Sequence, residues 1–244
     1  MTEISRYTNR IYKILRLIWS PTGRQGMRHG VGASIEHEPA LGALSCNTVV
    51  DIGANKGQFT LFCLGRFPKA KIYGFEPLAG PAAKYRKVFT ENPNITLFEA
   101  AIGPEDGETD IHVSKRDDSS SLLPIGEMQT KLWPGTEEQS VQTIKVGRLS
   151  TYLTADDIKS PALLKIDVQG FELEALTGCT DLLARFDKIY VECSYVELYE
   201  GQSLAPAVIA FLRENGFDLA AEYNKATDDT LGPIQADLMF EKRP

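Results

Sequence analysis

The chain lacks any paired-cysteine motif: Cys46, Cys63, Cys179 and Cys193 stand far apart, with no C-x-x-C among them and no adjacent histidine set. That excludes a zinc-binding Cys/His framework and suits reduced, mostly buried thiols in a cytoplasmic protein. Cations are also short, with 26 Lys and Arg against 33 Asp and Glu for a net charge of −7. A general nucleic-acid binder needs clustered cations to neutralise phosphates, so nucleic acid is not an expected partner. Long apolar runs are missing too. Arg6, Arg10, Lys13 and Arg16 interrupt the first twenty residues, leaving neither a signal h-region nor a membrane span.

What is present is ordinary globular composition, 43% hydrophobic and 24% charged over 244 residues, enough for one large α/β domain. Ile4, Tyr7, Ile11, Ile14, Leu15 and Ile18 recur at spacings of three and four, which predicts an amphipathic basic helix over residues 4–19. Such a helix either contacts an anionic membrane surface or a partner, or caps the domain's own core. Pro21 and the glycines from Gly23 to Gly32 read as a loop toward residue 40, giving an N-terminal helix and loop over 1–40 and a main domain over 41–244.

The main domain is organised around Val49-Val50-Asp51-Ile52-Gly53-Ala54-Asn55-Lys56-Gly57-Gln58-Phe59, which reads as a buried strand, a glycine turn and a helix start. Asp51 ends the strand facing the crevice, and Gly53 and Gly57 let backbone approach a ligand closely. Helices over 58–66, 80–90 and 206–215 alternate with strands over 71–75, 95–98, 162–166, 188–193 and 217–222, and a strand over 236–241 closes the chain. Strand–helix alternation predicts right-handed crossovers and a parallel sheet with helices on both faces. About fifteen turn-like residues separate the last two strands, which pair as an antiparallel hairpin. Short strands over 107–113 and 140–146 bracket a segment with Asp117-Asp118-Ser119-Ser120-Ser121, expected to be a lid or acceptor loop rather than disorder.

A third glycine is the other informative absence. Dinucleotide sites want G-x-G-x-x-G to seat a pyrophosphate, whereas Asn55 here replaces the second glycine and no third is correctly spaced. A smaller nucleoside ligand fits better than a nicotinamide dinucleotide. Glu76, 25 residues after Asp51 at the end of the second strand, is placed to accept both ribose hydroxyls.

VVDIGANKGQF, YGFEP, the serine-rich run after Asp117, LLKIDVQGFELEAL, YVECSYVELYEGQ and QADLMF occur in the order found in FkbM-type S-adenosylmethionine-dependent methyltransferases, which the chain resembles from about residue 47 to 241. The resemblance implies a Rossmann-like seven-stranded, mostly parallel sheet of order 3-2-1-4-5-7-6 with strand 7 antiparallel. It implies S-adenosylmethionine as cofactor and O-methylation of a saccharide or other small metabolite. Carried over by position, Asp51, Gly53, Asn55 and Gly57 line the methionine portion and Glu76 holds the ribose. Ala100 and Ala101 contact the adenine, with Glu99 as its polar partner. His29 and His37 fall outside the resemblance. A nicotinamide-dependent oxidoreductase and a non-catalytic cofactor-binding scaffold are the alternatives.

Methyl transfer from a sulfonium needs alignment and exclusion of water, and a hydroxyl acceptor needs a base. Asp167, ending the fourth strand beside the first, is the candidate base, with Glu192 at the end of the fifth strand as its companion. Asp167 could instead cap the following helix, or join Glu192 on a divalent cation, although no metal is the expectation. Lys165 faces the same side as Asp167, to tune its pKa or simply as a sheet-edge charge. Glu172 either reaches the crevice or sits as an acid at a helix N-terminus, and His112 reads as a partly buried histidine more than as a base. Trp133, Tyr195 and Tyr199 form either an acceptor wall or core.

Overall fold

The computed structural model describes residues 20–90 and 92–244. The helix expected over 4–19 lies outside them. Pro21–Arg28 forms α1, where a loop was expected, because Ser20 accepts a hydrogen bond from Gly23 N at 3.2 Å and Pro21 occupies the first turn. Gly26 is required for seating rather than flexibility: a Cβ there would lie 2.4 Å from both Leu61 Cδ1 and Val31 O. A 3₁₀ turn, Ile35–His37, and α2, Glu38–Leu41, bring the chain to the sheet.

The domain then alternates β1 (Thr48–Ile52), α3 (Gln58–Arg66), β2 (Lys71–Phe75), α4 (Ala79–Phe89) and β3 (Ile95–Phe98). A side layer follows, with β4 (Ala101–Ile102), β5 (Gly107–Ser114), a 3₁₀ turn at Asp117–Ser119, α5 (Glu127–Leu132) and β6 (Glu138–Gly147). After α6 (Leu149–Tyr152) come β7 (Ala162–Ile166), α7 (Glu172–Gly178), α8 (Thr180–Leu183), β8 (Lys188–Ser194), α9 (Ala205–Glu214), β9 (Phe217–Asp228) and β10 (Gly232–Lys242). The main sheet runs β3-β2-β1-β7-β8-β10-β9, with β10 antiparallel to both neighbours. Counted along the chain, that is the order 3-2-1-4-5-7-6.

Both faces of the central strands are buried, so every residue of β1 and β7 is buried, including Asp51 and Lys165 among the apolar ones. Val49 and Leu163 pack under α3 and α4 with Phe59, Leu61 and Tyr85, while Val50 and Leu164 pack on the other face with Leu176 of α7 and Val208 of α9. Residues 31–41 join the first of these layers through Val31, Ala33 and Leu41. The closing hairpin is longer and tighter than expected: β9 and β10 extend until only residues 229–231 turn, with Asp228 Oδ1 accepting from Thr230 N at 2.8 Å and Leu231 N at 3.0 Å. The polar residues that read as loop are the exposed side of a two-faced ribbon. The segment after β5 is ordered, with bridges from His112 to Ser121 and from Ile125 to Tyr199.

Candidate functional site

At the carboxyl ends of β1, β2 and β7 lies a cavity. Its floor is the turn after β1, where Gly53 has φ +79° and Asn55 φ +46°. Gly53 N and Ala54 N both donate to Phe75 O, at 3.0 and 2.9 Å. A Cβ on Gly53 would sit 1.8 Å from the Asp167 carbonyl oxygen, so the glycine lets the β1 and β7 ends approach. Gly57, expected on the ligand, lies off the cavity; its missing Cβ makes room for the Phe89 and Tyr85 rings, 2.4 and 3.0 Å from where the Cβ would be.

Asp51 is a second correction. It is fully buried and points beneath the crevice, on the α3 side of the sheet, because alternation along β1 turns it the same way as Val49. Thr60 Oγ1 donates to its Oδ2 at 3.0 Å, and Lys165 Nζ lies 3.2 Å from Oδ1, which accepts no well-aligned hydrogen bond. Lys165 is itself buried in a central strand, so it is no sheet-edge charge. Its ammonium donates to Gly53 O at 3.2 Å, lies 3.5 Å from Asp167 Oδ2 and sits over the Phe59 ring. Burial alone would lower its pKa, but Asp51 and Asp167 outweigh that and raise it.

Glu76 lines the cavity with its carboxylate held from behind: Oε2 accepts from Asn55 N at 3.0 Å and Oε1 from Leu78 N at 2.8 Å. Burial pushes its pKa up to about 7. Asn55 Oδ1 is occupied by Lys56 N at 2.8 Å, so that side chain shapes the turn. Ala100, Ala101 and Ile102, with Ile111, Leu122 and Phe171, form an apolar slot beside Glu76. Glu99 does not reach it. Its side chain is exposed and paired with Arg86 on α4, one residue off the inward-facing Ala100. The serine-rich turn covers the cavity through Asp117, Asp118 and Ser120, and Lys56 Nζ clasps Asp117 at 2.7 Å.

Asp167 and Glu192 are brought together by a residue that sequence reasoning left beside the acid. Gln169, with φ +55°, donates from Nε2 to Asp167 Oδ1 at 2.7 Å and to Glu192 Oε2 at 2.9 Å. Gln235 Nε2 adds a 2.8 Å bond to Glu192, and Tyr199 donates to Gln169 Oε1 at 2.9 Å. Burial, then the charges of Asp167 and Asp237, raise the Glu192 pKa well above the usual carboxylate range. Asp167 is not the helix cap. The helix has no side-chain cap; Glu172 in its first turn is buried away from the crevice, its Oε1 accepts from Gly170 N in the preceding turn at 2.9 Å, and burial pushes its pKa up to about 8. Among the described residues no group of three or more His, Cys, Asp or Glu is placed to hold a metal ion.

A second, polar cavity opens behind the first and shares Ser34, His37, Lys165 and Asp167 with it, adding Glu192, Asn224 and Asp237. His37 escaped the sequence reading because it precedes every motif. Its Nδ1 lies 3.1 Å from the Tyr190 hydroxyl and 3.5 Å from Asp237 Oδ2, and Tyr190 and Asn224 donate to that oxygen at 2.8 and 2.7 Å. Burial would raise Asp237, but His37 and these donors together hold it below its ordinary value. Tyr199 and Trp133 belong to a separate apolar cluster with Leu198 and Ile234, and His112 is paired with Glu138 at 2.6 Å. Tyr195 packs against the main core and lines neither cavity.

The methyltransferase FkbM domain matches residues 51–219. The chain belongs to the FkbM methyltransferase family. It is 30% identical over 186 residues to the 2-O-methyltransferase NoeI of Sinorhizobium fredii, covering 74% of this chain and 76% of that one. It is 27% identical over 224 residues to the 31-O-demethyl-FK506 methyltransferase FkbM of Streptomyces tacrolimicus, covering 82% and 80%. A protein of the NADB-Rossmann superfamily from Streptococcus agalactiae shares the fold at TM-score 0.50 and 12% identity, over 87% of this chain and 70% of that one.

S-adenosylmethionine is the cofactor of this FkbM methyltransferase, and the cavity suits it. Each Glu76 oxygen accepts one backbone N–H and keeps a lone pair for a ribose hydroxyl. With the cofactor bound, the alanine-lined slot would take the base and the Gly53–Asn55 turn beside Gln58 would face the amino-acid end.

Proposed function

We propose that the enzyme transfers a methyl group to a hydroxyl oxygen of a saccharide or another small metabolite, with Asp167 meeting that hydroxyl. The observation that carries this reading is that Asp167, about one-third exposed, is shared by the cofactor cavity and the polar cavity behind it. Two relatives, the 2-O-methyltransferase NoeI and the 31-O-demethyl-FK506 methyltransferase FkbM, support the same choice of nucleophile.

Bound S-adenosylmethionine supplies an electrophilic methyl on a sulfonium. The chain supplies position and a proton acceptor. Glu76 and the slot at Ala100 to Ile102 fix the nucleoside, while Ile111, Leu122 and Phe171 exclude water. The Asp167 carboxylate, which Gln169 and Lys165 hold in place, would take the hydroxyl proton as the acceptor oxygen gains the methyl and the sulfonium–methyl bond breaks, leaving S-adenosylhomocysteine. Glu192, which Gln169 ties to Asp167, lines the polar cavity on the far side of that carboxylate and orients the acceptor.

The test is incubation with methyl-labelled cofactor and a metabolite extract, locating the label by mass spectrometry and NMR, for the enzyme and Asp167→Asn. Label on oxygen is expected, with turnover reduced roughly 10²-fold or more in the variant and S-adenosylhomocysteine affinity unchanged. Label on nitrogen or carbon, or full turnover in the variant, defeats the reading.

A further inference from the structure

Charge is distributed unevenly along this chain. Residues 1–30 contain six Lys and Arg and a single acid, Glu3, so the remainder carries a net charge of −12. The described part of that basic end is α1 and the turn after it. Arg24, Arg28 and His29 share one open depression with Lys87 of α4, and no acidic side chain among the described residues lines it. Lys84 extends the same face, its Nζ 3.8 Å from where a Cβ of Gly30 would stand.

Beside these cations Met27 is 46% exposed, one of three large apolar side chains left open among the described residues. The face is held rigidly, since Gly26 seats α1 against Leu61 and Gln25 Nε2 donates to Val88 O at 2.7 Å. The sequence immediately before it, residues 4–19, repeats the combination, with apolar residues at helical spacing, Arg6, Arg10, Lys13 and Arg16 between them and Trp19 at the end.

We propose that this basic end is a docking surface for an anionic lipid bilayer. Cations near such a surface are attracted by the negative headgroups, each worth roughly fivefold in partitioning, and the exposed Met27 gives an apolar contact that a purely electrostatic partner does not use. The acidic remainder of the molecule is repelled by the same headgroups, so attachment is oriented, with α1 toward the lipid. Single-stranded nucleic acid, the other polyanion, is served by stacked aromatic rings in a basic groove. This depression has none beyond the His29 imidazole.

Co-sedimentation of the full chain with phosphatidylcholine vesicles, with and without about 30% phosphatidylglycerol, tests the proposal. At about 0.1 M salt the protein is expected to pellet with the anionic vesicles and stay in solution with the neutral ones, and at about 0.5 M salt to be released. Arg28→Glu with Lys87→Glu is expected to cut partitioning roughly twentyfold or more, and Met27→Glu to weaken it on its own. Both sets of variants should keep the S-adenosylhomocysteine affinity and melting temperature of the parent, since none of these residues lines the cofactor cavity. Equal or absent binding to the two vesicle types overturns the proposal, as does full binding by the Arg28→Glu, Lys87→Glu protein. So does retention of a single-stranded RNA oligonucleotide at the same salt without vesicle binding.

Discussion

Lys165 balances the charges of the site. It is the cation for buried Asp51, a neighbour of Asp167 and a donor to the Gly53 carbonyl, so it ties both strand ends to the cofactor turn. Replacing it with methionine leaves the Asp51 carboxylate uncompensated, and urea unfolding is expected to show a loss of about 3–5 kcal/mol. Adding Asp51→Leu should restore part of that loss, because the buried charge is then gone too. Gly53 has less tolerance still: in Gly53→Ala the new Cβ meets the Asp167 carbonyl at a positive φ. That variant is expected to lose about 2 kcal/mol or more in thermal melting and, if folded, S-adenosylhomocysteine binding as measured by calorimetry. Gly53, Glu76 and Asp167, marked from the sequence, line the cavity. The sequence misjudged Asp51, Gly57 and Glu99 because strand alternation and neighbouring rings, rather than motif position, decide which atoms meet the cavity.

Among elements, the Ile35–His37 turn and the β9–β10 ribbon lie largely outside the matched residues 51–219, yet both wall the polar cavity. The ribbon brings Asp237, together with Asn224 of its own β9, to His37 and Tyr190 from two distant stretches of chain. Asp237→Ala should therefore cost about 2–4 kcal/mol in equilibrium unfolding, leaving buried donors without an acceptor. A loss below 0.5 kcal/mol would mean water satisfies that network. Such a cluster is invisible to local pattern, since histidine 37 and aspartate 237 are ordinary polar residues until the sheet order makes them neighbours.

At the scale of the whole molecule, three buried carboxyl groups set the pH response. Burial lifts Glu76 to about 7 and Glu172 to about 8, and raises Glu192 well above its ordinary 4.5. A carboxyl raised in the folded state binds its proton more tightly there than in the unfolded chain, so its stabilisation is complete below about 4.5 and disappears as pH rises through 7 to 8. The cofactor-free protein is therefore expected to melt lower at about pH 8.5 than at about pH 6, by roughly 2–4 °C for each kcal/mol lost. Asp237, held below its ordinary 3.8, acts the other way but only in stronger acid. A flat melting curve over that range would show that the three carboxyls stay solvated.

Hydrophobic period and glycine spacing were sufficient for the alternating elements and for the parallel pairing of the first three strands, because each depends on residues within about 25 positions of one another. The reversed last strand was legible as well, from the short polar connection before it. Tertiary structure alone decided the rest: which face of β1 carries Asp51, that Gln169 couples Asp167 to Glu192, and that a second cavity is closed by His37 and Asp237 from opposite ends of the chain. Those facts follow from strand register and packing, which no short window of sequence contains.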